Sequence, residues 1–69
     1  MKDRKKELAI KTAIQSYKSS VSLGFSSRTA HAICEMENVY IMCSPFNIEG
    51  VDELVAVIKE AKEKYKSYL

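Results

Sequence analysis

The side chains able to do polar chemistry near neutral pH are few: one histidine, His31, and two cysteines, Cys34 and Cys43, in 69 residues. Histidine titrates near neutrality, and Glu35, four residues further on, is the obvious acid/base partner. On a strand the two stand roughly 13 Å apart at ~3.3 Å per residue, too far for a hydrogen bond. Only a helix would bring them together, and no third group is in view to orient the imidazole. A four-ligand zinc site needs paired Cys and His at set spacings; two cysteines and one histidine do not supply them, so neither a metal nor a cofactor is expected. The run Ser26-Ser27-Arg28-Thr29 places hydroxyls around one guanidinium, which could hold a phosphate or carboxylate. It lacks the glycines and helix N-terminus of a phosphate cradle and reads as a polar turn. No two polar groups can be argued into reach of one another, so the chain is expected not to be an enzyme.

Charge is distributed unevenly. Residues 1–28 carry seven Lys and Arg against two acids, residues 29–58 carry five acids and no Lys or Arg, and residues 59–69 carry four cations against two acids. A split of this kind can set a basic end against an acidic one, within a subunit or between two. The cations Lys2, Arg4, Lys5, Lys6 and Arg28 are the candidates for anion or nucleic-acid contact. No secretory signal or membrane-length apolar run is present, and a reducing cytoplasm is the expected setting.

The elements that must position these residues follow from periodicity. Ile10, Ala13, Ile14 and Tyr17 recur at i, i+3, i+4 and i+7, with Leu8 and Ala9 widening the stripe, which predicts an amphipathic helix over residues 3–18. Val21, Leu23 and Phe25 alternate with Ser22, Gly24 and Ser26, which predicts a strand over 20–26, with a bulge at Gly24. Residues 29–36 and 39–44 read as a hairpin about Glu37-Asn38. In that register Ala30, Ala32, Cys34, Met36, Val39, Ile41 and Cys43 share the core face, and both cysteines are buried free thiols. An alternative makes Arg28 to Glu37 a helix, because Ala30, Ile33, Cys34 and Glu37 also fit a 3.6-residue period. The hairpin is preferred because the helix would leave the last strand without an antiparallel neighbour. Pro45 stops that strand, and Asn47 is the expected N-cap of a helix over 48–68 whose stripe is Val51, Leu54, Val55, Ile58, Ala61 and Tyr65.

The expected fold is therefore a single α+β domain, residues 1–69, of order α-β-β-β-α, with both helices on one face of a three-stranded antiparallel sheet. Double-stranded RNA-binding domains share that order, but their last helix begins with lysines where this chain has Glu49, Asp52 and Glu53, and no membership follows. The free sheet face would expose His31, Ile33, Tyr40 and Met42, a semi-apolar patch of the kind that meets a partner. A domain this small has a thin core and gains most from association. The expected function is a non-enzymatic, regulatory interaction module, working as a homodimer or docking on another protein as an inhibitor or adaptor. Nucleic-acid binding through the basic first helix is the alternative.

Overall fold

The computed structural model describes residues 4–68, and Lys2 lies outside them. The element order is α1 (Arg4–Ser20), a 3₁₀ turn (Val21–Leu23), α2 (Ser27–Cys43) and α3 (Val51–Lys64). No strand occurs among the described residues, so the α+β class, the three-stranded sheet and the hairpin are all corrected to a three-helix architecture.

Helix α1 buries Ile10, Ala13, Ile14 and Tyr17, the stripe its 3.6-residue period defines. Leu8 does not widen it: that side chain is exposed. At the far end, the Ser20 hydroxyl donates to the Tyr17 carbonyl at 2.7 Å, satisfying one of the last carbonyls of the helix. The segment expected as a first strand is instead the tight turn that follows. Leu23 is 97% exposed, which alternation with Val21 and Phe25 on a core face forbids. Gly24 lies at φ +92°, a region that L side chains rarely adopt; it reverses the chain between α1 and α2 and is not a bulge.

The start of α2 explains why residues 27–43 coil. Ser26 is extended at φ −153°, and its backbone N–H donates to Thr29 Oγ1 at 3.2 Å. Thr29 is wholly buried, and its Oγ1 lies 3.3 Å from the Ser20 carbonyl and 3.4 Å from the Gly24 carbonyl. A Ser-x-x-Thr arrangement of this sort satisfies amide hydrogens that a helix start otherwise leaves unpaired. It also ties the end of α1 to the beginning of α2. The run Ser26-Ser27-Arg28-Thr29 is therefore the cap and first turn of α2 and not a free polar turn, and it has the helix N-terminus that the sequence reading found lacking.

Beyond the cap, α2 buries Thr29, Ala32, Ile33, Met36 and Cys43. The pattern is helical in period, and it separates residues that the hairpin would have grouped. Ile33 moves from the outer face to the core at 2% exposure, while Cys34 and Ile41 move from the core to solvent. Ala, Glu and Met are good helix formers, and Ala30, Ala32, Glu35, Met36 and Glu37 place five such residues within eight positions. A two-residue hairpin loop would have required positive φ at Glu37 and Asn38; no non-glycine residue among those described has it.

After α2, Pro45 and Phe46 lie in the link, and Ile48 folds back into the core at 5% exposure. The N-cap of α3 is Gly50 at φ +100°, not Asn47. Asp52 and Glu53 stand in its first turn and Lys62 and Lys64 in its last, as the helix dipole favours. Leu54, Ile58 and Ala61 are buried along it, with Tyr65 just past its end.

One core joins all three helices: Ile10, Ile14 and Tyr17 of α1, Ile33 and Met36 of α2, and Leu54 and Ile58 of α3 lie in a single cluster. Gly50 at the start of α3 faces Ile10, whereas at its end Phe25 stacks on Tyr68 at 4.6 Å and packs against Tyr65 at 5.1 Å. Thus α3 runs parallel to α1, and both run antiparallel to the middle helix α2. The extents are 37 × 17 × 15 Å, a rod whose two ends are far enough apart to carry different chemistry.

Candidate interaction face

The middle helix of an up-down-up bundle buries the side that α1 and α3 cover and leaves the opposite side bare. On α2 the bare positions are Ser27, His31, Cys34, Asn38 and Ile41, at alternating steps of four and three, all exposed. That spacing draws one straight line along a helix. Flanking it towards α1 are Arg28 and Glu35, which line the same shallow groove as His31. Flanking it towards α3 are Glu37 and Tyr40, which together with Ile41 border a second groove against Val55 and Lys59. The apolar content lies at the C-terminal end: Ile41 is 67% exposed, Met42 46% and Tyr40 37%, and Phe46 beyond them is 53%. Leu23, the most exposed large apolar residue described, stands in the turn that precedes α2.

Of the four residues expected to form a partner face, His31, Tyr40 and Met42 are at the surface, and Ile33 is in the core. The surface they belong to is a helix and not a sheet. Cys34, Ile41, Phe46 and Leu23 were missed. A 3.6-residue period with Ala32, Ile33 and Met36 as its buried stripe places Cys34 and Ile41 opposite Met36, whereas the helical stripe Ala30, Ile33, Cys34 and Glu37 puts Cys34 on the wrong side.

The cations do not form one site. The Thr29 link joins the end of α1 to the start of α2, and α1 at ~1.5 Å per residue is about 25 Å long. Arg28 therefore sits a helix length from Arg4, Lys5 and Lys6. Lys6 is also partly covered, its Nζ lying 4.8 Å from the centre of the Phe46 ring, a cation–π arrangement. Arg4, Lys11 and Lys18 do share one line along α1, at seven-residue spacing, and all three are exposed. The ion pairs among the described residues are Lys62 with Glu37, which links α3 to α2, and Lys66 with Glu63; Arg28 and Glu35 take part in neither.

His31 and Glu35 are brought onto one side of α2 by the helix, yet no hydrogen bond joins them among the described residues, and both stand in solvent. No group of three His, Cys, Asp or Glu residues among those described could hold a metal ion. The tyrosine hydroxyl with a displaced pKa, Tyr17, is raised by burial first and by Tyr65 and Glu60 next, which makes it a worse proton donor and fits its place in the core. No helix among the described residues is long and apolar enough to cross a membrane. Compared with known proteins, the chain matches no family model, no curated sequence and no solved structure.

Proposed function

We propose that this chain is a non-enzymatic interaction module that works by pairing with a second copy of itself through the bare side of α2. The observation that carries this reading is the exposure of Ile41, Met42, Tyr40 and Phe46 within seven consecutive residues. Water-exposed apolar groups clustered on one side of a small domain gain roughly 25 cal/mol per Å² when another surface covers them. A chain of 69 residues has little core from which to draw stability, and pairing adds to it.

The test is light scattering across protein concentrations from micromolar to millimolar. The expected result is a mass that rises from one subunit to two, and that in Ile41→Asp rises only at roughly thirtyfold higher concentration. A wild-type mass of one subunit throughout the range removes this reading.

A second reading rests on Arg4, Lys11 and Lys18, which form an exposed cationic line on α1. Such a line suits the phosphates of a nucleic acid, whose binding weakens steeply with salt as counterions are released. Replacing all three with alanine should then flatten the salt dependence of binding to a mixed oligonucleotide. No retardation of the wild type at low salt ends this second reading.

A further inference from the structure

The two ends of the rod differ in charge and in what they expose. At the end where α1 hands over to α2, the stretch from Leu8 to Cys34 contains Lys11, Lys18, Arg28 and His31 and no Asp or Glu. Serines crowd the turn itself, and Ser19, Ser22, Ser26 and Ser27 are all exposed. The end of α3 arrives at the same place. It brings Lys64 in its last turn and Lys66 just beyond, and Glu63 is already paired with Lys66. Lys18, Arg28 and Lys64 belong to no ion pair among the described residues. At the opposite end, by contrast, Glu7, Glu49 and Glu53 border one cavity, and a polyanion would be repelled there.

An aromatic stack sits on the cationic end. Phe25 in the turn and Tyr68 past α3 have ring centres 4.6 Å apart and planes 14° from parallel. Tyr65 closes the group from the core side, 5.1 Å from Phe25 and tilted by 45°. Tyr65 is buried and Phe25 is half-buried, but Tyr68 is 66% exposed. Phe25 covers one face of the Tyr68 ring, so the exposure belongs to the other face and the edge. Stacked rings prefer centre separations of about 4.5–7 Å, and the open face of Tyr68 offers a flat group the same contact that Phe25 makes behind it. The Nζ of Lys64 lies 5.5 Å from the centre of the Tyr65 ring, which keeps a cation beside the aromatic group.

An open aromatic face among cations and hydroxyls suits an unpaired nucleotide strand, whose bases stack on the ring while its phosphates meet the cations. In a duplex the bases are stacked on one another and do not reach such a ring. We infer that the turn end of the bundle is a binding site for single-stranded nucleic acid, in which Tyr68, backed by Phe25, stacks a base and Lys18, Arg28 and Lys64 meet the flanking phosphates. The site is separate from the bare side of α2 and does not require self-association. It shares only Lys18 with the cationic line on α1, which contacts phosphate alone and makes no distinction between paired and unpaired strands.

The probe is a fluorescent oligothymidylate of about ten nucleotides, within the ~4–16 that a small binding domain engages. Anisotropy is read at low salt, with a duplex of the same length alongside. The single strand should bind more tightly than the duplex. Tyr68→Ala should weaken single-strand binding about tenfold, the loss expected of one base stack, whereas Tyr68→Phe, which keeps the ring, should stay within about twofold of the wild type. Arg28→Ala and Lys64→Ala should each reduce the slope of log affinity against log salt by about 0.7. Arg4→Ala, at the far end, should leave single-strand affinity within about twofold. A second measurement needs no variant: on titration of the wild type, the ring resonances of Tyr68 should shift and those of Tyr40 on α2 should not.

Tighter binding of the duplex, undiminished single-strand binding in Tyr68→Ala, or stationary Tyr68 resonances in the bound wild type overturns this site. If Arg4→Ala or Lys11→Ala then weakens binding, the cationic line on α1 stands in its place. Failure of the wild type to bind either probe at low salt overturns both.

Discussion

Along α2, the side turned towards α1 and α3 carries Thr29, Ala32, Ile33, Met36 and Cys43, all buried, while the opposite side carries His31, Cys34, Asn38 and Ile41, all exposed. Residue types do not separate the two sides cleanly. Each holds a cysteine, each holds an isoleucine, and each holds a hydrogen-bonding side chain. They differ in whether the polar groups are satisfied inside the chain. Thr29 on the inner side is held by the Ser20 and Gly24 carbonyls and by the Ser26 amide, as a buried hydroxyl must be. Arg28 and Glu35 beside the outer side have no such internal ion-pair partner among the described residues. An apolar group on the inner side stabilises the monomer, whereas one on the outer side is stabilising only when something covers it.

Substitutions can break or sharpen this contrast. The largest effect is expected from Met36→Ala, which empties a fully buried position in the cluster joining the three helices. A loss of about 2–5 kcal/mol follows from the missing contacts and residual cavity. Urea denaturation should show it at every protein concentration, and a loss under about 1 kcal/mol would mean that the inner side is loosely packed. On the outer side, Ile41→Asp should leave the helical circular dichroism of the dilute protein unchanged and weaken association by about 2 kcal/mol, roughly thirtyfold. Unfolding of the dilute Ile41→Asp protein would instead place Ile41 among the groups that hold the monomer together.

Thr29→Val keeps the shape of the side chain but removes its hydroxyl, leaving the Ser26 amide without its acceptor. A cost of about 1–3 kcal/mol is expected by chemical denaturation. The change should also raise amide exchange at the start of α2 more than in α3, because the lost bonds join α1 to α2. The smallest effect concerns pH. Burial, with Tyr65 and Glu60, raises the Tyr17 hydroxyl above the ordinary 10.0, so the folded chain holds that proton more tightly than the unfolded one. The associated stability is fully present below pH 10 and is lost as pH rises through the folded value. Thermal melting should therefore decline on the alkaline side of pH 10, and Tyr17→Phe should make the decline shallower. An unchanged alkaline limb would move the cause to other groups.

The first and last helices were legible because each lays its buried residues on a stripe interrupted by charge. Ile10, Ala13, Ile14 and Tyr17 admit no two-residue period, and Leu54, Ile58, Ala61 and Tyr65 admit none either. Residues 29–43 admit both. Ala32, Met36 and Cys43 are buried in the helix and would have been core residues in the hairpin too, so most of the apolar set fails to discriminate. Ile33, Cys34 and Ile41 do discriminate, and they change sides between the two readings. The local signals that favour the helix were present: a Ser-x-x-Thr cap at its start, good helix formers through its middle, and Glu37 where a tight hairpin needs a residue tolerant of positive φ. Against them stands only the need of a strand over 39–44 for a neighbour, and that need disappears when the strand does. The candidate site suffered accordingly. His31, Tyr40 and Met42 remain at the surface, Ile33 does not, and Arg28 is separated from the other cations by the length of α1.

Composition and periodicity alone determined that the chain has a thin core, a cationic leading segment and amphipathic helices at both ends. These are properties of residue type and short-range spacing, which no later folding event can alter. Tertiary structure decided which side of residues 27–43 faces water. An apolar residue in that stretch is core or surface only by virtue of what packs on it, and it is α1 and α3, drawn in by the Thr29 link and the shared cluster, that cover one side of α2 and leave the other open.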